Sequence, residues 1–315
     1  MDLCGRSWWA TLVSRREMST ISKKKHYPPD RSVRERASDR MTAELDPLAM
    51  FARGLFRDTA VLVTGGGRGI GRSIALAFAN LGADVVIASR NAENLDRTAE
   101  EIIDAGVGCL AVPTDIRDVD QVESLVEQAI ECFGGIDFLI NNAGGQFPAT
   151  PTEISDRGWR AVIDLNLNGT WNMCSRMGPH MVERGSGCIV NVVHVYSFER
   201  GSAPFVHSGA ARAGVVNMTK SLAQYWASHG VTVNALAPGF VATDGLKEEL
   251  LKGGDFETLA ESDIPAGRLA ETDEIAAAAV FLCSPGARYI NGTTLMADGG
   301  LYLANWTPWW DPESS

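Results

Sequence analysis

The segment Val61-Leu62-Val63-Thr64-Gly65-Gly66-Gly67-Arg68-Gly69-Ile70-Gly71 constrains the fold of this 315-residue chain more than any other. Its apolar first half reads as a short buried strand and runs straight into a glycine-rich turn. Ser73-Ile74-Ala75-Leu76-Ala77-Phe78-Ala79 then reads as a helix and Val85-Val86-Ile87-Ala88 as a second strand, which completes one βαβ unit. Glycines let the backbone turn tightly and approach a pyrophosphate, while the helix start presents unpaired N–H groups and partial positive charge to it. Two further apolar runs end in polar or turn-forming residues: Phe138-Leu139-Ile140 before Asn141-Asn142-Ala143-Gly144, and Val231 to Ala237 before Pro238-Gly239. Ligands of an open parallel sheet sit outside the carboxyl ends of its strands, so these ends are expected to line one crevice.

Charge at the second strand end bears on which dinucleotide fits. An NAD site places Asp or Glu about 20 residues past the glycines to hold the ribose 2′-hydroxyl. Here the strand ends Ala88-Ser89-Arg90 and offers no acid. Arg68 in the turn and Arg90 at the strand end make a fork suited to a 2′-phosphate, so NADP is the expected cofactor. Two solvated arginines are the plain alternative.

These motifs, in this order, resemble the short-chain dehydrogenase/reductase family across residues 56–302. The resemblance implies an α/β fold: a single doubly wound Rossmann domain with a parallel sheet of about seven strands, helices on both faces, and assembly as a homotetramer. It also implies that Thr64, Gly65, Gly67, Arg68, Gly69, Ile70 and Gly71 cradle the dinucleotide, with Ser89 and Arg90 at its adenosine ribose. Asp115 and Ile116 are expected to flank the adenine. Asn142 is expected at the adenine-side ribose and Thr243 at the nicotinamide end, with Ala143, Gly144, Pro238, Gly239 and Val241 also expected at the dinucleotide.

Most members of the family react through an Asn, a Ser and a Tyr-x-x-x-Lys pair. Asn166 matches the Asn. His194 stands where the Ser belongs, at the end of Ile189-Val190-Asn191-Val192-Val193-His194. Ser208-Gly209-Ala210-Ala211-Arg212 replaces the Tyr and Lys, and Lys220 lies too far along to serve. Carbonyl reduction needs a proton donor poised near neutral pH at the oxygen. Arginine keeps its proton and serine binds its own too tightly, so Arg212 and Ser208 disfavour ordinary ketone chemistry.

One branch with this pattern comprises the 2,4-dienoyl-CoA reductases and the peroxisomal trans-2-enoyl-CoA reductases. Asn141-Asn142-Ala143-Gly144-Gly145-Gln146-Phe147 and the Ser208-to-Arg212 segment are similar to theirs, and Tyr196 stands where the dienoyl enzymes carry a tyrosine. Hydride added to an alkene conjugated to a thioester sends charge to the thioester oxygen, and that oxygen needs hydrogen-bond donors. The expected roles follow: Tyr196 and Gln146 donate at the crevice, Arg212 fixes the nicotinamide ribose and adds positive potential, and Ser208 orders the network. The α-carbon proton is expected from Tyr196 or water. His194 is either a general acid or a polar strand-end residue, and His207 borders the altered pair.

The rest of the chain adds limits. Residues 1–40 carry ten basic and five acidic side chains, so with a whole-chain charge of −11 the remainder carries −16, which argues against nucleic acid or an anionic membrane as partner. The basic segment is expected to be a disordered extension, either a transit peptide or upstream of a true start at Met41, with the reductase domain over 41–302. No run of 18 apolar residues suggests a membrane span. The six cysteines show no metal or disulfide spacing, which fits a reducing compartment, and cytoplasm is expected. Leu246, Leu250, Leu251, Phe256 and Ile264 have helical spacing suited to a flap over an acyl or terpenoid chain, or to a helix packed on its own core. Arg157, Arg160 and Arg200 are candidates for coenzyme A phosphates. The tail 303–315 holds Trp306, Trp309 and Trp310, an aromatic cluster suited to docking on a subunit or over the substrate mouth.

Three functions fit: an NADPH-dependent enoyl- or dienoyl-CoA reductase, a citronellol/citronellal-like alcohol or aldehyde dehydrogenase with a rebuilt proton relay through Tyr196 or His194, and a dinucleotide-binding protein without turnover.

Overall fold

Strands and helices alternate along the chain as the glycine-rich unit predicts. The computed structural model describes residues 46–196, 201, 203–246 and 264–304. Its elements in order are β1 (Ala60–Thr64), α1 (Gly69–Asn80), β2 (Asp84–Ser89), α2 (Ala92–Asp104), β3 (Cys109–Pro113), α3 (Val119–Phe133) and β4 (Phe138–Asn141). Then come α4 (Asp156–Ile163), a π-helical turn (Asp164–Asn168), α5 (Gly169–Arg184), β5 (Gly187–Val192), α6 (Val206–Trp226), β6 (Val231–Pro238), α7 (Thr272–Cys283) and β7 (Thr294–Ala297). The seven strands form one parallel sheet in the order β3-β2-β1-β4-β5-β6-β7, the doubly wound arrangement.

Both faces of the sheet are buried, so the strands read as continuous apolar runs while their side chains still alternate between two cores. Val61, Val63, Val85, Ile87, Ile140 and Val190 pack with Ile74, Phe78, Leu95, Ile102 and Val280 from α1, α2 and α7. Leu62, Val86, Leu139, Ile189 and Val233 face the other way, onto Val122 and Leu125 of α3, Met173 and Met177 of α5, and Trp226 of α6. Register holds the strand ends level: Thr64 pairs with Ala88 and with Asn141, and Asn141 with Asn191.

Local chemistry sets where the helices begin. Asn91 accepts the Asn94 N–H ahead of α2, Asp118 accepts those of Asp120 and Gln121 ahead of α3, and Ser155 accepts that of Gly158 ahead of α4. Helix α1 has no such side-chain cap and no acid in its first turn. Its first-turn N–H groups are thus left to whatever lies in the crevice. No helix among the described residues is long and apolar enough to cross a membrane.

Candidate active site

The crevice at the carboxyl ends of β1, β2 and β4 opens into a cleft of about 470 Å³. Fourteen residues expected at the dinucleotide line it: Gly65, Gly67, Arg68, Gly69, Ile70, Gly71, Ser89, Arg90, Asp115, Ile116, Asn142, Ala143, Gly144 and Thr243. Its walls require glycine. A Cβ on Gly71 would lie 2.2 Å from the Gly65 carbonyl oxygen, and one on Gly65, whose φ is +68°, would lie 2.8 Å from Asn142 Nδ2. Backbone packed this closely, at the start of an uncapped helix, fits a pyrophosphate.

Thr64 contributes from behind the wall. It is fully buried, and its Oγ1 accepts the N–H groups of Asn142 and Ala143 at 3.1 and 3.0 Å. Asn142 Nδ2 returns a hydrogen bond to the Thr64 carbonyl, so the two strand ends brace each other. Arg68 and Arg90 are exposed at the cleft, and among the described residues neither forms an ion pair. Asp115 is ion-paired with Arg117, whose hydrogen bonds hold its carboxyl below the usual carboxylate range. Asn91, Asn94, Thr114, Leu165, Asp244 and Gly245 also line the cleft. Only Asn91 and Asn94 left a trace in the sequence, as a cap and its partner three residues on.

Pro238, Gly239 and Val241 are not among the residues lining this cleft. Pro238 closes β6, and Gly239 packs on Asp298, where its Cβ would lie 2.9 Å from Asp298 Cα. Val241 is buried and bridges to Ala270. The Val241 carbonyl accepts the N–H of Thr243, which lines the cleft.

Gly144 joins the cleft to the reaction residues. A Cβ there would meet Arg212 Nη2 at 2.3 Å and Asn166 Oδ1 at 2.7 Å. Asn166 sits buried in the π-helical turn, where it donates to the carbonyls of Gly145 and Val162 at 2.7 and 2.8 Å and accepts the Gly145 N–H. It therefore fixes the backbone next to Gln146. Ser208, buried in the first turn of α6, donates its hydroxyl to Gln146 Oε1 at 2.6 Å. With its oxygen so engaged, Gln146 has its Nε2 donors left to offer. Arg212, one turn along α6, donates from Nη1 to the Val192 carbonyl at 2.6 Å. Burial pulls its guanidinium down to about 10, still a cation at neutral pH.

The surroundings of His194 and Tyr196 bear on the roles expected of them. Desolvation first, and the Arg212 cation second, push His194 down to about 3, so its imidazole is neutral at physiological pH. Tyr196 is buried. It is 4% exposed, packed in a small apolar cluster with Phe240, Ile264 and Leu301, with its ring 5.0 Å from that of His194. Arg157 and Arg160 lie exposed on α4. Arg200, Leu250, Leu251, Phe256, the tryptophan tail from Trp306 and the segment 1–40 lie outside the described residues.

A glycine-walled cleft at the topological switch point of a parallel sheet, flanked by a polar cluster, defines a dinucleotide-dependent oxidoreductase. A family profile described as enoyl-(acyl carrier protein) reductase matches residues 34–302, and the chain belongs to the short-chain dehydrogenase/reductase family. It is 38% identical over 248 residues to a probable 2,4-dienoyl-CoA reductase of Bacillus subtilis, covering 78% of this chain and 96% of that protein. A 3-oxoacyl-[acyl-carrier-protein] reductase of Staphylococcus aureus is 37% identical over 250 residues, with 78% and 98% covered. Among solved structures, the citronellol catabolism dehydrogenase of Pseudomonas aeruginosa PAO1 superposes with a TM-score of 0.71 at 37% identity, with 82% and 100% covered.

Proposed function

We propose that the chain is an NADPH-dependent reductase of C=C bonds conjugated to a coenzyme A thioester. The observation that carries this reading is the 2.6 Å hydrogen bond from Ser208 to Gln146 Oε1, in a site with no tyrosine–lysine pair. It leaves a preset amide donor where a ketone reductase needs an acid.

When bound, NADPH supplies a hydride to the alkene carbon remote from the thioester. The glycine turn from Gly65 to Gly71 holds the pyrophosphate, and Arg68 with Arg90 holds the 2′-phosphate. Gln146 Nε2 donates to the thioester oxygen, which gains negative charge as an enolate. Ser208 orients that amide, Asn166 fixes the backbone beside it through Gly145, and the Arg212 cation lowers the energy of the anion. With Tyr196 packed and His194 neutral, water is the assigned proton source for the α-carbon.

The carbonyl reductases among the relatives favour a second reading, reduction of an aldehyde. That reaction requires an acid at the oxygen, and the site offers an amide and an arginine there. NADPH oxidation followed in parallel with trans-2-hexenoyl-CoA, a 2,4-dienoyl-CoA and a medium-chain aldehyde separates the two. Turnover of a thioester alone is expected, and turnover of the aldehyde alone overturns the reading.

A further inference from the structure

Gln146-Phe147 and His207-Ser208 meet crosswise. Ser208 bonds Gln146, and the His207 ring meets the Phe147 ring edge to face at 4.5 Å with an interplanar angle of 89°. Two consecutive residues of the loop after β4 are thereby locked to two consecutive residues of α6, one pair polar and one aromatic. Phe147 also packs on Gly158 of α4, where a Cβ would lie 2.9 Å from Phe147 Cζ.

The start of α6 makes the histidine matter. The first N–H groups of a helix have no acceptor within it, and Phe205, at the cap position of α6, supplies none from its side chain. Ser208 is the third residue of this helix, and its N–H donates to His207 Nδ1 at 2.9 Å. His207 is fully buried, and its Nε2 has no hydrogen-bond partner among the described residues. The ring also interacts with the Phe205 backbone, and its contact with Ser208 is made by Nδ1.

We infer that His207 is a positioning residue: its Nδ1 caps the Ser208 N–H from within the first turn of α6 and so keeps the Ser208 hydroxyl on Gln146. The inference rests on the roles given above to Ser208 and Gln146. It assigns His207 no contact with substrate or cofactor.

Two substitutions separate ring from nitrogen. His207→Phe keeps a ring against Phe147 and removes both nitrogens. Loss of the unpartnered Nε2 offsets loss of the cap, so the fold is expected to survive. His207→Asn restores an acceptor near the Nδ1 position without the ring. Amide hydrogen exchange at Ser208, read by NMR, is expected to quicken at least tenfold in H207F and to return to within about threefold of the parent in H207N. On trans-2-hexenoyl-CoA, kcat is expected to fall about tenfold in H207F and recover in H207N, with the NADPH Kd unchanged and KM within about twofold. In a Ser208→Ala background H207F is expected to have no further effect on kcat, because the residue acts through that serine.

Unchanged exchange and unchanged kcat in H207F overturn the inference, as does an additive loss in the double variant. Should H207F fail to fold, H207N against H207Q gives the same contrast, since Gln carries its acceptor away from the Nδ1 position. If Ser208→Ala itself leaves kcat unchanged, the donor arrangement proposed for the function fails, while the exchange comparison still decides whether His207 caps Ser208.

Discussion

The two sides of this crevice are built of different material. The cofactor side is mostly backbone: glycines at contact distance from one another, an uncapped helix start, and Thr64 and Asn142 bracing two strand ends. Its shape follows from the absence of side chains, so it admits almost no substitution and carries a strong sequence signal. The reaction side is a circuit of side chains from distant segments, in which Asn166 holds Gly145, Ser208 holds Gln146, and Arg212 stands against Gly144. Any member of such a circuit can change if its partners change with it. One scaffold can thus keep a fixed hydride source while its chemistry at the substrate is rewritten.

The comparison breaks most visibly at Gly71. Gly71→Ala sets a methyl group on the Gly65 carbonyl oxygen, backbone against backbone, and the NADPH Kd is expected to rise at least about 100-fold by titration calorimetry. Near-parental affinity would mean that the cleft wall is softer than its contacts imply. Replacing both Arg68 and Arg90 by Ala is a milder blow, because hydrogen bonds to charged groups are worth roughly 1.5–3 kcal/mol. NADPH affinity is expected to drop about 10- to 100-fold while NADH affinity stays within about threefold. Equal losses for the two dinucleotides would remove the 2′-phosphate fork.

The remaining effect concerns pH. His194 has a folded-state pKa of about 3, against an ordinary 6.5, so the unfolded chain binds the extra proton between those values. Its contribution to stability is complete above pH ~6.5 and is lost as pH falls toward 3. His207, also lowered chiefly by burial, acts in the same direction. Melting temperature is expected to decline from pH 7 to pH 4, less steeply in His194→Asn. An identical slope in that variant would mean that His194 protonates as readily in the folded protein as in the unfolded chain.

The cofactor side was legible because each of its signals is local. A strand, five glycines and a helix lie within Val61–Ala79, and the alternation of Val61, Leu62 and Val63 between two cores follows from strand geometry alone. Pro238, Gly239 and Val241 follow β6, two strands beyond β4, and a strand end in sequence does not say how far it reaches in space. On the reaction side the residue types were legible and their partners were not. Gln146 and Ser208 are 62 positions apart, and nothing in either segment fixes their register. The π-helical turn that aims Asn166 carries no periodicity, and Tyr196 gave no sign that Phe240, Ile264 and Leu301 would bury it.

The central claim is that the reaction side holds a developing oxyanion by a preset amide instead of an acid. Gln146→Ala, assayed on trans-2-hexenoyl-CoA at saturating NADPH, tests it most directly. Loss of one such donor typically costs roughly 10²- to 10³-fold in kcat, and a fall of that size with an unchanged NADPH Kd is expected. An unchanged kcat would contradict the account.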